Sequence, residues 1–201
     1  VIRVLIAEDQ TLVRGALRAL LELEDDLEVV AEVGRGDAVV GAALEHRPDV
    51  ALLDIEMPGG DGIEAARGLA AAVPGCRAVI LTTFGRPGFL RRAMEVGAAG
   101  FLVKDAPVAE LARGIRSVMA GERVIDRELA AAALAIGATP LSAREADVLR
   151  AAVDGSTVAD IAGRLFLSEG TVRNYLSSAI GKTGARTRVE AARVAAEKGW
   201  L

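Results

Sequence analysis

The sequence predicts an α/β doubly wound domain on a five-stranded parallel sheet, followed by a small all-α domain. Three observations carry that expectation. Over the first 120 residues, apolar runs of strand length alternate with amphipathic stretches of helix length, the pattern of βαβ units. Beyond residue 140 the strand runs stop and helix-start signals recur. Charge divides at the same place: residues 1–139 hold 15 Lys and Arg against 21 Asp and Glu, a net of −6, whereas 140–201 hold 9 against 7, a net of +2.

Taken in order, the strand runs are Ile2–Ala7, Leu27–Val33, Val50–Leu53, Ala78–Leu81 and Gly100–Val103. Helices are expected near 11–23, 36–46, 62–72, 87–96 and 107–119. Pro87 and Pro107 fall at first turns, where a missing N–H costs no intrahelical bond. Residues 121–139, "GERVIDRELAAAALAIGAT", carry no strand signal and read as a linker containing a short helix. In the rest, Ser142 with Glu145 and Thr187 with Glu190 fit capping boxes, Thr157 with Asp160 is a weaker version, and Ser168 is a further cap. Four helices follow, near 143–153, 158–165, 169–181 and 187–198. The expected divisions are thus 1–120, 121–139 and 140–201.

Composition narrows the setting. Hydrophobic residues make up 52% of the chain and aromatics only 3%, so Leu, Val, Ile and Ala must fill the cores. No apolar run approaches the length of a membrane span, and "VIRVLIAEDQ" turns acidic too early for a signal peptide; a soluble, cytoplasmic protein with no membrane partner is expected. Cys76 is the one cysteine and His46 the one histidine, which excludes an internal disulfide and a multi-histidine metal site. "GRGDAVVG", residues 34–41, opens like a dinucleotide fingerprint, but Val39 stands where its third glycine belongs; it reads as a strand-to-helix turn.

Chemistry gathers at the strand ends. Strand one runs into Glu8 and Asp9, strand three into Asp54, strand four into Thr82 and strand five into Lys104. The carboxyl ends of parallel strands form the ligand crevice of an open α/β sheet, so three acids, a hydroxyl and an ammonium converge there. Clustered carboxylates repel one another unless a cation intervenes. Mg²⁺ suits that demand, since it takes oxygen ligands, keeps several waters and uses one or two carboxylates, here Asp9 and Asp54. The other Asp54 oxygen is then placed to attack phosphorus and form an acyl phosphate, with Lys104 and Thr82 holding the transferred oxygens. "MPGGDG" after Asp54 shapes a backbone that leaves the carboxylate open.

At these residues, over 1 to about 120, the sequence resembles the receiver domain of two-component response regulators, a flavodoxin-like fold. The resemblance implies that Glu8, Asp9, Asp54 and the Glu56 backbone carbonyl surround Mg²⁺, that Asp54 is the phosphoacceptor, and that a sensor histidine kinase is the donor. It further implies that Thr82 moves toward the phosphoryl group and that Phe101 turns inward behind it. "KDAP", Lys104 to Pro107, departs from the receivers that place proline directly after the lysine.

In the third helix of the second domain, Val172, Leu176, Ala179 and Ile180 form an apolar stripe, with Arg173, Asn174 and Ser177 on a separate polar face. Arg matches guanine and Asn matches adenine in the major groove. Lys182, Arg186 and Arg188 are candidates for phosphate contacts. "LSAREADVL", "IAGRLFLSEGTVRNY" and "TRVEAA" closely resemble the LuxR-type helix-turn-helix of the NarL/FixJ family, which implies that Arg173, Asn174 and Ser177 face bases; relatives often carry a longer side chain at the place of Ser177. Within that family the chain looks most like regulators of membrane-lipid desaturation. The expectation is a transcription factor, not an enzyme, that binds promoter DNA and forms a homodimer when phosphorylated. Two alternatives stand beside it: a Mg²⁺-dependent phosphohydrolase working through an aspartyl phosphate, and a DNA-binding regulator that is never phosphorylated.

Overall fold

The protein is described by a computed structural model at residues 1–82, 87–104, 107–127, 129–131 and 139–201. The chain folds as two compact units, one holding the sheet and its helices, the other a bundle of helices. In the first, β1 (Ile2–Ala7), β2 (Leu27–Val33), β3 (Val50–Asp54), β4 (Arg77–Thr82), β5 (Gly100–Val103) and β6 (Val124–Ile125) form one sheet in the order β2-β1-β3-β4-β5-β6. Every neighbouring pair is parallel.

The sheet thus has six strands where five are expected. β6 lies inside the segment read as linker, and two residues are too few to show alternation. What makes it a strand is the edge it meets: the Val124 N–H donates to the Ala99 carbonyl at 3.1 Å and the Asp126 N–H to the Phe101 carbonyl at 3.2 Å. A short edge strand of this kind covers the ladder of β5.

Helices α1 (Thr11–Leu21), α2 (Val39–His46), α3 (Gly62–Ala72), α4 (Pro87–Glu95) and α5 (Val108–Met119) connect the strands. The helix expected from residue 36 begins as a 3-10 turn, Gly36–Ala38, before α2. Val4, Ile6, Val50, Leu52, Val79 and Leu81 pack in one cluster with Leu21 of α1 and Ile115 of α5. Their alternation places the equally buried Leu5, Leu53, Ile80 and Phe101 on the other face. Burial on both faces explains why the strands read as continuous apolar runs.

The second unit consists of α6 (Ala143–Ala151), α7 (Val158–Leu165), α8 (Glu169–Thr183) and α9 (Arg188–Glu197). Ser142 with Glu145 and Thr157 with Asp160 close full capping boxes. Thr187 accepts from the Glu190 N–H, but the Glu190 carboxylate accepts from Arg186 N–H instead, so that box is only half made. Ser168 caps α8, and Gly184 ends it in the left-handed conformation, φ 69°. Val148, Leu149, Ile161, Val172, Leu176, Ala179, Ala191 and Ala195 form the core. Of the linker in which a short helix is expected, Arg127 and residues 129–131 are helical, and residues 128 and 132–138 lie outside the described residues. Among the described residues no helix is long and apolar enough to cross a membrane.

Candidate functional site

Parallel pairing brings the carboxyl ends of β1, β3, β4 and β5 to one edge, and the residues that end them meet there. Glu8, Asp9 and Asp54 offer ligand oxygens within 4.8 Å of one another. Lys104 Nζ lies 2.9 Å from Asp54 Oδ1 and 2.5 Å from Glu8 Oε2. Glu8 and Asp54 are buried, whereas Asp9 is exposed at the mouth. Burial pushes the Glu8 carboxyl above its ordinary 4.5, although the Lys104 hydrogen bond draws it down. For Lys104, burial draws the ammonium down, but its bonds to Glu8 and Asp54 outweigh that and hold it above 10.5. Three carboxylates against one ammonium leave a net negative pocket of hard oxygen donors, the chemistry that suits a divalent cation.

The surrounding backbone keeps Asp54 accessible. Gly59 and Gly60 take φ of 79° and 136°, a conformation that side chains resist. Gly62 opens α3 so close to Asp54 that a Cβ there would lie 2.0 Å from the Asp54 carbonyl oxygen. Asp61 caps α3 by accepting from the Glu64 N–H at 2.8 Å, and its other oxygen pairs with Arg92 of α4 at 2.9 Å. Glu56 is exposed on the same loop, and the group of facing carboxylates does not include its side chain.

Thr82 ends β4, buried between the ends of β3 and β5, and its carbonyl accepts from the Lys104 N–H at 2.7 Å. Phe101 is fully buried on β5, on the sheet face opposite Leu102. Asp105 and Ala106 of the departing "KDAP" loop lie outside the described residues. Sequence reasoning missed Arg14, whose Nη1 donates to the Glu8 carbonyl at 2.5 Å and whose Nε is 3.9 Å from Glu32. Its only sequence signal is a basic residue in the helix that follows the acidic pair.

In the helical unit, α7 and α8 are joined through Phe166 in the left-handed conformation, φ 55°. Arg173, Asn174 and Ser177 are all exposed on α8, on the side away from Val172, Leu176 and Ala179. Arg173 Nη2 is held 2.6 Å from Glu169 Oε2, one turn earlier. The three candidates for phosphate contact differ. Arg186 is exposed; Arg188 Nη1 donates to the Ser156 carbonyl at 2.9 Å; Lys182 Nζ pairs with Glu145 at 2.7 Å. That last partner was not foreseen, because Glu145 reads only as a capping residue in sequence.

Comparison with known proteins gives these two constellations their setting. Residues 4–116 match the response regulator receiver domain, and residues 139–195 match the luxR family of bacterial regulatory proteins. The chain is 46% identical over 200 residues to the transcriptional regulatory protein DesR of Bacillus subtilis (strain 168), covering 100% of this chain and 99% of that protein. It is similar to the crystal structure of the response regulator ChrA of a heme-sensing two-component system, with TM-score 0.58, 35% identity, and 100% and 98% of the two chains covered. It is also similar to the two-component response regulator RcsB in its DNA complex, with TM-score 0.69, 25% identity and 98% of each chain covered. With the facing carboxylates and lysine at one sheet edge, and an exposed arginine and asparagine on the helix after a helix and turn, the chain belongs to the response regulators of two-component systems, in the class that joins a receiver domain to a LuxR-type helix-turn-helix.

Proposed function

We propose that Asp54 is the phosphoacceptor and that its phosphorylation by a sensor histidine kinase controls promoter binding through α8. The observation that carries this reading is the single ammonium of Lys104 standing between Asp54 and Glu8 at the edge where Asp9 remains open. An Asp54 carboxylate oxygen attacks phosphorus; the new O–P bond forms as the donor's P–N bond breaks and its electron pair leaves with the imidazole. Lys104 then exchanges part of its contact with Asp54 for a phosphoryl oxygen, and the Thr82 hydroxyl donates to another. Phe101, already fully buried on β5, keeps that inward position as Thr82 moves.

Glu8, Asp9, Asp54 and the Glu56 carbonyl would hold Mg²⁺, which when bound supplies charge neutralisation at the phosphoryl oxygens. In the second unit, Arg173, Asn174 and Ser177 face base edges, Arg186 and Arg188 face phosphates, and dimerisation places two copies of α8 on paired half-sites. The reading makes the protein a cytoplasmic transcriptional regulator and not a phosphohydrolase.

Incubation with acetyl phosphate and Mg²⁺ followed by intact mass measurement tests the first half. The expected result is a stable gain of one phosphoryl group by the unaltered protein and none by Asp54→Asn. Continuous phosphate release without a labelled species would identify a phosphohydrolase, and no uptake at all would identify a regulator that phosphorylation does not touch.

A further inference from the structure

Glu145 is nearly fully buried at the start of α6, yet its carboxylate is charged and saturated with donors. Oε1 accepts from Ser178 Oγ at 2.5 Å, and Oε2 accepts from Lys182 Nζ at 2.7 Å and from the Ser142 N–H at 2.6 Å. Two of those three donors come from α8, four residues apart and therefore on one face. Burial alone would raise this carboxyl, but the bonds from Lys182, Ser178 and Ser142 overcome it and hold it down at about 2.

Around the axis of α8, the side chains divide into three arcs at 3.6 residues per turn. Val172, Leu176 and Ala179 face the core; Arg173, Asn174 and Ser177 face outward; Ser178 and Lys182 lie on the flank between those two arcs. Apolar packing is non-directional and tolerates a small rotation of the helix. Hydrogen bonds to a charged, buried acceptor do not, because their strength depends on distance and angle. Bidentate contact between an arginine and a base edge is equally exacting.

We propose that Glu145 is a positioning residue for base reading: it clamps Ser178 and Lys182 so that α8 presents Arg173 and Asn174 in one fixed rotation, and it withholds the Lys182 charge from DNA phosphates. This rests on α8 being the helix that reads bases. Two consequences have opposite signs. Removing the Glu145 charge releases Lys182, so binding becomes stronger to any duplex and more dependent on salt while discrimination falls. Removing Lys182 lowers discrimination and leaves the salt dependence unaltered. A residue that merely stabilised the fold would weaken binding to all duplexes together.

The test uses the full chain and a duplex enriched by the unaltered protein from a random library, with a scrambled duplex as reference. Fluorescence anisotropy at several salt concentrations gives the affinity ratio and the salt slope. Glu145→Gln is expected to lower the ratio about tenfold and to steepen the slope by about 0.9, the value for one added phosphate contact on duplex DNA. Lys182→Met is expected to lower the ratio with the slope unchanged. Ser178→Ala, which deletes one donor and no charge, lowers the ratio to a lesser degree and carries the test with Lys182→Met if Glu145→Gln does not fold. A slope that falls by about one in Lys182→Met with the ratio intact would make Lys182 a phosphate contact and overturn the clamp. Arg173→Ala run beside them separates the two levels. If it lowers the ratio while the clamp variants do not, only the clamp falls; if it too leaves the ratio unchanged, the reading of α8 falls and takes the clamp with it.

Discussion

Asp54 and Lys104 meet although their strands are not neighbours: β4 lies between β3 and β5, and Lys104 Nζ still comes within 2.9 Å of Asp54 Oδ1. Two strand spacings amount to about 9.6 Å, a gap that the long lysine side chain closes and that neither Thr82 nor a second carboxylate could. The ammonium therefore reaches over the end of β4, and Glu8 from β1 meets it from the other side.

The phosphoacceptor assignment has a direct consequence for Asp54→Asn. The amide keeps the shape of the carboxylate and ends phosphoryl uptake, as read by intact mass after acetyl phosphate. Without Mg²⁺ the variant is expected to melt no lower than the unaltered protein, because the Asp54 charge repels that of Glu8 and Lys104 keeps Glu8 as a partner.

Lys104→Ala is expected to behave otherwise. It strands the buried Glu8 carboxylate and should cost about 3 kcal/mol of receiver stability in urea unfolding at neutral pH. Burial already raises Glu8 above its ordinary 4.5, so the folded domain holds that proton more tightly than the unfolded chain. The deficit of the variant is thus smallest below pH 4.5 and grows as the pH rises past it.

Gly62→Ala tests whether the backbone behind Asp54 is fixed by close approach. The added Cβ would meet the Asp54 carbonyl oxygen at 2.0 Å, so backbone must move. A loss of about 1–3 kcal/mol together with slower phosphoryl uptake is expected. Gly15→Ala supplies the contrast, since nothing beyond its chain neighbours and the backbone of α1 lies within 4 Å of its Cβ position; a gain of about 0.8–1.0 kcal/mol with unchanged uptake is expected there.

Acid should loosen the helical unit through Glu145. Its folded pKa of about 2 lies below the ordinary 4.5, so its stabilising contribution is complete above 4.5 and is lost as the pH falls toward 2. The groups that face it are Lys182 and Ser178 from α8 and Ser142 at its own cap. Trp200 is the one tryptophan of the chain and packs against this core, so its fluorescence isolates the transition. Glu145→Gln should show a smaller acid phase in that window, the remainder coming from Asp154 and Asp160, which are also held below their ordinary 3.8.

Arg173→Ala should cost about 1–3 kcal/mol per half-site and relax discrimination at one base pair. Its Glu169 partner lies one turn away on the same helix and both are exposed, so the ion pair is weak enough to open on binding. Equal loss on the enriched and scrambled duplexes would remove α8 from the reading role.

The parts legible in the sequence are those with local signals. Strand ends could be read because runs such as Val50–Asp54 are buried along their whole length and stop on a charge. The caps of α6, α7 and α8 could be read because each partner lies three residues away. β6 could not, since Val124 and Ile125 become a strand only against the edge of β5. Nor could the role of Glu145, whose bond to Lys182 spans 37 residues and depends on how α6 packs on α8. Glu190 shows the limit even of local pattern: the spacing is right, but the neighbouring Arg186 N–H takes its carboxylate.

The strand order has a consequence for biosynthesis. β2 adds to one side of β1, β3 to the other, and β4, β5 and β6 each to the edge left by the strand before. As the chain emerges from the ribosome from its N-terminus, every strand after β1 meets an edge already exposed, and none has to be wedged between two already joined. The nascent receiver can therefore assemble its sheet strand by strand in the order in which it is translated.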